Sequence, residues 1–363
     1  MENKVKVRQT SPEDVERIIA ALANTGKAHI VVFGDYALDK YLYSDPADDE
    51  VSAETGDNAF RIHKKKMMAG AGGTITNNLR SLGAEVRCIG ILGKDGEGLE
   101  LDNALVAVGA DTSCMIRTDS LCTCAYTKIL RLPEGAARED DNAYFEWKRL
   151  DFRNFVEPSP EIQQQMIDYL EASLSWADAV IIIDQFYQRN MGAVTDWIRE
   201  KVNAIAGRKD GPIFYVDSRS FADEFRNMIV KCNNIELFSL FENPPADVED
   251  LGEVVKYGIL AGEKLAGEML VTCGKDGMIV FGGEPVRVPG FRITGPIDIV
   301  GAGDATTAGF VLGLSLGLEK TEAATLGCCV SSITIQQLNT TGKATVAQVS
   351  ARLRGEDGVV RGA

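Results

Sequence analysis

The chain has 363 residues, 45% of them hydrophobic, and a formal net charge of −15, which suits one large α/β domain with an accessory piece or two ordinary domains. Such acidity argues against a nucleic acid duplex or an anionic membrane as partner, because both reward a basic face; an anionic small molecule would need a local basic pocket. Eight cysteines lie scattered through apolar segments with no C-x-x-C pair and only two histidines, which excludes a zinc site or a disulfide framework and fits reduced thiols in the cytoplasm.

In chain order, residues 1–27 begin without an apolar signal core, and no apolar run is long enough to span a bilayer, so a soluble, cytoplasmic protein is expected. Residues 11–24 (SPEDVERIIAALAN) predict an amphipathic helix with Ser11 as N-cap and Glu13 and Asp14 at its positive end. His29 to Gly34 is a continuous apolar run, the mark of a buried parallel strand, and similar runs recur at Val86 to Leu92, Ala179 to Asp184, Ile213 to Asp217 and Met269 to Cys273. Helix-like stretches at Ile162 to Leu174 and Ala193 to Ile205 stand between them, which is the βαβ spacing of a doubly wound sheet. Asp184 and Asp217 end two of these strands, where such a sheet opens its functional edge. Residues 40–66 and 112–150 break the rhythm and read as antiparallel strands outside the main sheet, a small β lid. Residues 354–363 read as a frayed tail.

The strongest motif is Asp298-Ile-Val-Gly301-Ala302-Gly303-Asp304, followed by small and apolar residues at helical spacing. Glycines here let successive backbone N–H groups converge on an anion, and the following helix adds the positive end of its dipole. A carboxylate at Asp304 could take the proton of a hydroxyl that attacks a phosphoryl group held there. A Gly-rich strand-to-helix turn capped by Asp would give the same pattern without any chemistry, so the residues alone leave both readings open.

This segment resembles the C-terminal signature of the ribokinase/PfkB carbohydrate-kinase family, and further landmarks fall in order over residues 28–346. The resemblance implies a ribokinase-like α/β fold, ATP and Mg2+ as cofactors, and a sugar or sugar phosphate as substrate. It implies that Gly301, Ala302 and Gly303 face the transferred phosphate and that Asp304 is the catalytic base, with Val300 where the family usually has Thr. Gly34-Asp35-Tyr-Ala-Leu-Asp39 resembles the first strand and turn, whose second Asp binds substrate hydroxyls; a turn or cap role is the alternative for Asp35 and Asp39. Ala69-Gly70-Ala-Gly72-Gly73-Thr74 resembles the family's GGxxAN segment, with Thr74 in place of a substrate-contacting Asn. Asn78, one helical turn later, could supply the amide or could be a surface residue.

GDYALDKYLY, Ser52-Ala-Glu54, Thr127-Lys-Ile-Leu-Arg131 and Arg149-Leu-Asp-Phe152 are similar to pieces of the heptose 7-phosphate kinase branch. Lys128, Arg131, Lys148 and Arg149 make a basic set suited to a phosphosugar, though strand alternation turns about half of them away from any one ligand. At the nucleotide end, Val271-Thr272-Cys-Gly274-Lys-Asp-Gly277 resembles the phosphate and ribose turn, while a tight hairpin would account for it equally. Asp298 joins that set. Asn243-Pro-Pro-Ala-Asp247-Val-Glu249 stands for the family's N-x-x-E with its register off by one, so the acid is Asp247, the metal candidate, or Glu249, or is absent, and Cys328 replaces an Asn near the adenine. The matched region runs almost to the end of the chain, leaving no room in it for the nucleotidyltransferase domain fused to some heptose kinases. A homodimer through the lid is expected, since a small sheet needs a partner for its apolar face. The competing readings are a non-catalytic sugar or nucleotide sensor and a nucleoside kinase whose base would meet Tyr41, Tyr43 or Phe60.

Overall fold

Strands with no polar face need cover on both sides, and the apolar runs find it in the computed structural model, which describes residues 5–362. Among those residues ten strands form one sheet in the order Lys6–Val7, Val286–Val288, Met278–Val280, Glu268–Thr272, Ile229–Asn233, Ile213–Ser218, Ala179–Asp184, His29–Gly34, Glu85–Gly93 and Met115–Thr118. Neighbours run parallel except around Met278–Val280, which is antiparallel to both sides. Successive side chains enter different cores. Ile30, Val32, Ile181 and Ile183 pack with helices Pro12–Leu22, Gly72–Ser81, Ala302–Ser315 and Lys320–Thr334. Val31, Phe33, Val180 and Ile182 pack with helices Pro160–Ser173, Asp196–Ala206 and Leu251–Leu265 on the other face. This is the doubly wound, mostly parallel α/β architecture that the spacing implied. The first helix starts where Ser11 predicts, in a capping box with Asp14: Asp14 N–H donates to Ser11 Oγ at 3.1 Å and Ser11 N–H to Asp14 Oδ2 at 2.8 Å.

A second sheet of four strands lies outside the first, in the order Phe145–Phe152, Ala125–Arg131, Tyr36–Ser44 and Ile62–Ala71. Its limits differ from the sequence reading in two places. The first strand begins at Tyr36 because Gly34, at φ +121°, turns the chain from one sheet to the other; a Cβ there would lie 2.2 Å from Ile183 O. Met115–Thr118 belongs instead to the edge of the main sheet, parallel to Glu85–Gly93, because Met115 and Ile116 bury their side chains in the two cores. The tail is also not frayed. Arg292 N–H donates to Val360 O at 2.8 Å, Gly362 N–H to Gly290 O at 2.7 Å, and Arg361 donates to Thr10 O at 3.2 Å and Leu353 O at 2.8 Å, so residues 360–362 are tied to residues 290–292, to Thr10 and to the last helix.

Candidate functional site

The site lies at the carboxyl ends of the parallel strands, where helix Ala302–Ser315 begins. Gly301 caps it in the left-handed conformation, φ +78°, packed against Thr74 and Thr341, which a side chain would strain. Ala302 N–H is spent on Ile299 O at 3.1 Å. The N–H groups of Gly301, Gly303 and Asp304 bond no backbone carbonyl among the described residues, so they can meet an anion at the positive end of the helix. Asp304 is half-buried and has no hydrogen-bond partner among the described residues. Burial and the nearby Asp217 push its carboxyl up to about 7 against the pull of Lys231 and Arg219, and Asp39 across the cleft adds to the rise.

Opposite, the second sheet presents Asp39. Gly70 leaves it room: a Cβ there would stand 2.5 Å from Asp39 Oδ2. Burial raises this carboxyl to about 6, with Lys128 and Arg149 holding it lower than burial alone would. Strand register explains the grouping, because Asp39 pairs with Tyr126, Tyr41 with Lys128, and Lys128 with Arg149, which places all five side chains on one face. Lys128 lies 5.0 Å over the Tyr41 ring and Arg149 4.7 Å over Tyr126. Arg153 joins them over Tyr126 at 5.4 Å, its Nε buried without a partner, and the exposed Arg219 reaches only Tyr187 OH, at 3.5 Å. The sequence reading passed over both arginines, since neither sits in a motif.

Several expected substrate contacts are committed elsewhere. Asp35 is 1% exposed and accepts from Gln185 N–H at 2.8 Å and Ala193 N–H at 2.7 Å, so it fixes the 185–193 loop; burial and Asp184 push it up to about 7. Thr74 gives its hydroxyl to Ala69 O at 3.2 Å. Asn78 is fully buried and donates to Thr74 O at 3.1 Å and Gly342 O at 3.2 Å, pinning its helix to the 335–342 loop. Gly72 and Gly73 open helix Gly72–Ser81, and Gly72 N–H donates to Asp35 O at 3.0 Å. Arg131 points to the other face of its sheet, paired with Asp49 and 4.9 Å over the Trp147 ring, with Lys148 over the same ring. Tyr43 is buried against Tyr144 and Phe60 packs on Trp147, which removes two of the three aromatics a nucleoside base would need.

At the nucleotide end, Gly274 borders a cleft of ≈ 340 Å³ lined also by Asn234, Ile235, Leu251 and Lys275. Thr272 stands at the strand end beside it, its Oγ1 donating to Cys232 O at 3.4 Å. Gly277, at φ +87°, serves the hairpin: a Cβ would lie 2.1 Å from Val288 O. Cys328 is buried in helix Lys320–Thr334. Asp298 is a loop tether, accepting from Val300 N–H at 3.0 Å and Asn339 N–H at 3.1 Å. Asn243 and Asp247 lie exposed in the 242–250 loop, where Asp247 caps Glu249 N–H at 2.9 Å, so the metal candidate is misplaced. The N-x-x-E spacing occurs instead at Asn233-Asn-Ile-Glu236, at the end of strand Ile229–Asn233. There Asn233 N–H donates to Glu236 Oε2 at 2.8 Å, and burial raises the Glu236 carboxyl although Lys231 stands near. The cue was a strand end, and the longer Asn-Pro-Pro turn downstream had drawn it away. Among the described residues no group of three or more His, Cys, Asp or Glu could hold a metal ion by itself.

The family model described as pfkB family carbohydrate kinase matches residues 27–346. The chain belongs to that family. That family is one of carbohydrate kinases, phosphotransferases with an alcohol group as acceptor. Curated relatives of this chain include the bifunctional proteins HldE of Trichlorobacter lovleyi, 26% identical over 341 residues, and of Pelobacter propionicus, 25% identical over 328. Those matches cover 91% and 89% of this chain but only 65% and 63% of the relatives. Solved structures with the same fold include phosphofructokinase-2 from Escherichia coli in complex with substrates and products, with a TM-score of 0.68 at 17% identity, covering 90% of this chain and 99% of that one. Arabidopsis thaliana ribokinase complexed with ribose and ATP has a TM-score of 0.63 at 18% identity, covering 90% and 98%. No helix among the described residues is long and apolar enough to cross a membrane.

Proposed function

We propose that this kinase phosphorylates a hydroxyl of a sugar that already carries a phosphate, with Asp304 as the base. The observation that carries the reading is two carboxylates close enough to repel each other and without a hydrogen-bond partner among the described residues, Asp304 beside helix-terminal amides and Asp39 on the outer sheet near Lys128 and Arg149. Asp39 accepts hydrogen bonds from sugar hydroxyls and orients the ring. The basic side chains around it hold the resident phosphate within a chain of net charge −15. Asp304 takes the proton of the attacking hydroxyl as the bond from that oxygen to the γ-phosphorus forms. The bond from the γ-phosphorus to the β-phosphate oxygen breaks in line, and ADP leaves. The amides of Gly301, Gly303 and Asp304 receive the equatorial oxygens in transit.

Mg2+ would fit this site as an ion held mainly by phosphates and water, since one partly buried carboxylate, Glu236, stands just past the strand end and no all-protein cage exists among the described residues. When bound it would neutralise charge on the nucleotide phosphates, and Asn233 and Glu236 would hold it through its water. The outer sheet acts as a lid that excludes water and closes on the cytoplasmic substrate. Its edge strand Phe145–Phe152 leaves Phe145, Leu150 and Phe152 about half exposed, which favours a homodimer by pairing with a second copy, testable by sedimentation.

An ADP-release screen across sugars, sugar phosphates and nucleosides tests the function. The expected result is turnover with a sugar phosphate at least about tenfold above its parent sugar, the worth of one charge-assisted contact. Binding of ligands without ADP release from any acceptor would favour a sensor; a nucleoside as best acceptor would overturn the assignment outright.

A further inference from the structure

We propose that Lys231 is a further catalytic residue, its ammonium group donating to an oxygen of the phosphoryl group in transit over the Gly301–Asp304 turn. The inference rests on the phosphotransfer reading above and adds a group that no motif assigns. Strand Ile229–Asn233 lies beside Ile213–Ser218 with Lys231 directly opposite Asp217, so the two side chains point the same way, toward helix Ala302–Ser315. Tyr215 shares that face and its hydroxyl meets Thr307 Oγ1 of the helix at 3.2 Å. Lys231 Nζ donates to Asp217 Oδ2 at 2.7 Å and lies 3.1 Å from the point a Gly303 Cβ would occupy, alongside the free amides.

Three features separate this lysine from an ordinary ion pair. It is 6% exposed, and Asp217 uses one of its three donors while no other protein acceptor among the described residues takes the rest. Burial works against the charge, yet Asp217, with Tyr215 and Glu236, holds the ammonium protonated well above its ordinary range, so the cation is permanent. A buried ion pair is by itself no more stabilising than a well-packed apolar pair, so stability does not explain a lysine between Asp217 and Leu270. A transferring phosphoryl group spreads its charge over three oxygens, and a donor already fixed where that charge develops stabilises the transition state without reorganising.

The test compares Lys231→Met, Lys231→Arg and the double variant Asp217→Asn, Lys231→Met, the last removing both buried charges in case the single variant misfolds. Steady-state rates are read with the acceptor found by screening. Affinities for ADP and for the imido analogue of ATP, which keeps a γ-phosphate, are read by calorimetry and need no acceptor. Lys231→Met is expected to lower kcat by about 10²- to 10³-fold, as loss of one oxyanion donor does. It should weaken the imido analogue about tenfold while ADP affinity stays within about twofold, because only the γ-phosphate loses a charge-assisted bond. Lys231→Arg should recover part of both. The double variant should regain thermal stability and not kcat. Recovery of kcat in the double variant, or equal weakening of both nucleotides, would show a structural pair and overturn the proposal. If the wild type released no ADP with any acceptor while Lys231→Met still lost its preference for the γ-phosphate, the acceptor reading would fall and the role of Lys231 would stand.

Discussion

On the wall built by the ten-stranded sheet, Lys231 is 8% exposed at its side chain and locked to Asp217. On the wall built by the outer sheet, Lys64 and Arg149 are 41% and 43% exposed and pair with Asp141 and Asp151 near solvent. Charges of the first kind are costly to place and do not move; those of the second kind rearrange for little, since exposed pairs contribute only about 0–1 kcal/mol. On the proposed function, the contrast puts chemistry on the fixed wall and capture on the adaptable one. Substitutions on the two walls should therefore fail in different parameters.

The largest effect belongs to the fixed wall. Asp304→Asn keeps size and removes the base, so kcat should fall by about 10²- to 10⁴-fold while ATP affinity changes little. Turnover near the wild-type rate would break the comparison at its centre. Asp39→Ala, on the other wall, should raise KM for the sugar by about ten- to a hundredfold, the worth of hydrogen bonds to a charged acceptor, and leave nucleotide binding in place. Matching losses for both ligands would instead make Asp39 part of the scaffold.

The pH profile links the walls. Asp304 must be ionised to accept a proton, and its carboxyl is raised to about 7, so kcat/KM should climb about tenfold per unit below that value and level off above it. Asp39 contributes to the rise by repulsion, so Asp39→Asn should move the acidic limb to lower pH. A limb that moves upward, or stays fixed in Asp304→Asn, would assign the titration to another group.

How much of this was legible depended on what fixes each residue. The strand at His29–Gly34 and the Gly301–Asp304 turn follow from local rules, an apolar run and a left-handed glycine, and stood in the sequence. Lys231 did not, because its meaning comes from Asp217 fourteen residues earlier on a neighbouring strand, and single apolar runs do not give register. Asn78 and Asp35 misled for the converse reason: polar residues beside glycines look like ligand contacts, yet each satisfies buried backbone groups that the fold creates. On the outer sheet, alternation announced that the basic residues would divide, and only pairing showed that Lys128 and Arg149 share the face of Asp39.

A hydrogen-bonded chain joins the walls and should give a smaller effect. Asn339 Nδ2 donates to Asn142 Oδ1 at 2.9 Å and Asp141 O at 3.2 Å on the outer sheet's hairpin, while its N–H reaches Asp298, which in turn holds Val300 N–H. Asn339 sits at φ +55°, so Asn339→Gly removes the side chain without straining the turn. The two lost bonds are worth about 0.5–1.5 kcal/mol each, so lid opening should rise at least about fivefold, seen as faster amide exchange in residues 133–143. Unchanged exchange with and without sugar, in wild type and variant alike, would make the outer sheet fixed scaffold.

The smallest effect is the sharpest check on register. Lys128 and Arg131 are three residues apart on one strand and both basic, so a reading by composition treats them alike. Alternation puts Lys128 beside Tyr41 on the cleft face, and Arg131 behind it, bound to Asp49 and stacked on Trp147. Lys128→Met should raise KM for a phosphorylated sugar about tenfold and barely affect the unphosphorylated one, because what it loses is a contact between charges. Arg131→Met should leave KM within about twofold and cost about 1 kcal/mol of stability, the pair being only partly exposed. Chemical denaturation separates the two, since a shifted midpoint without a shifted KM is the mark of a residue that holds the lid and never meets the sugar. Equal KM increases in both variants would mean that the strand is turned differently in solution, and the division between a capturing and a catalysing wall would lose its footing.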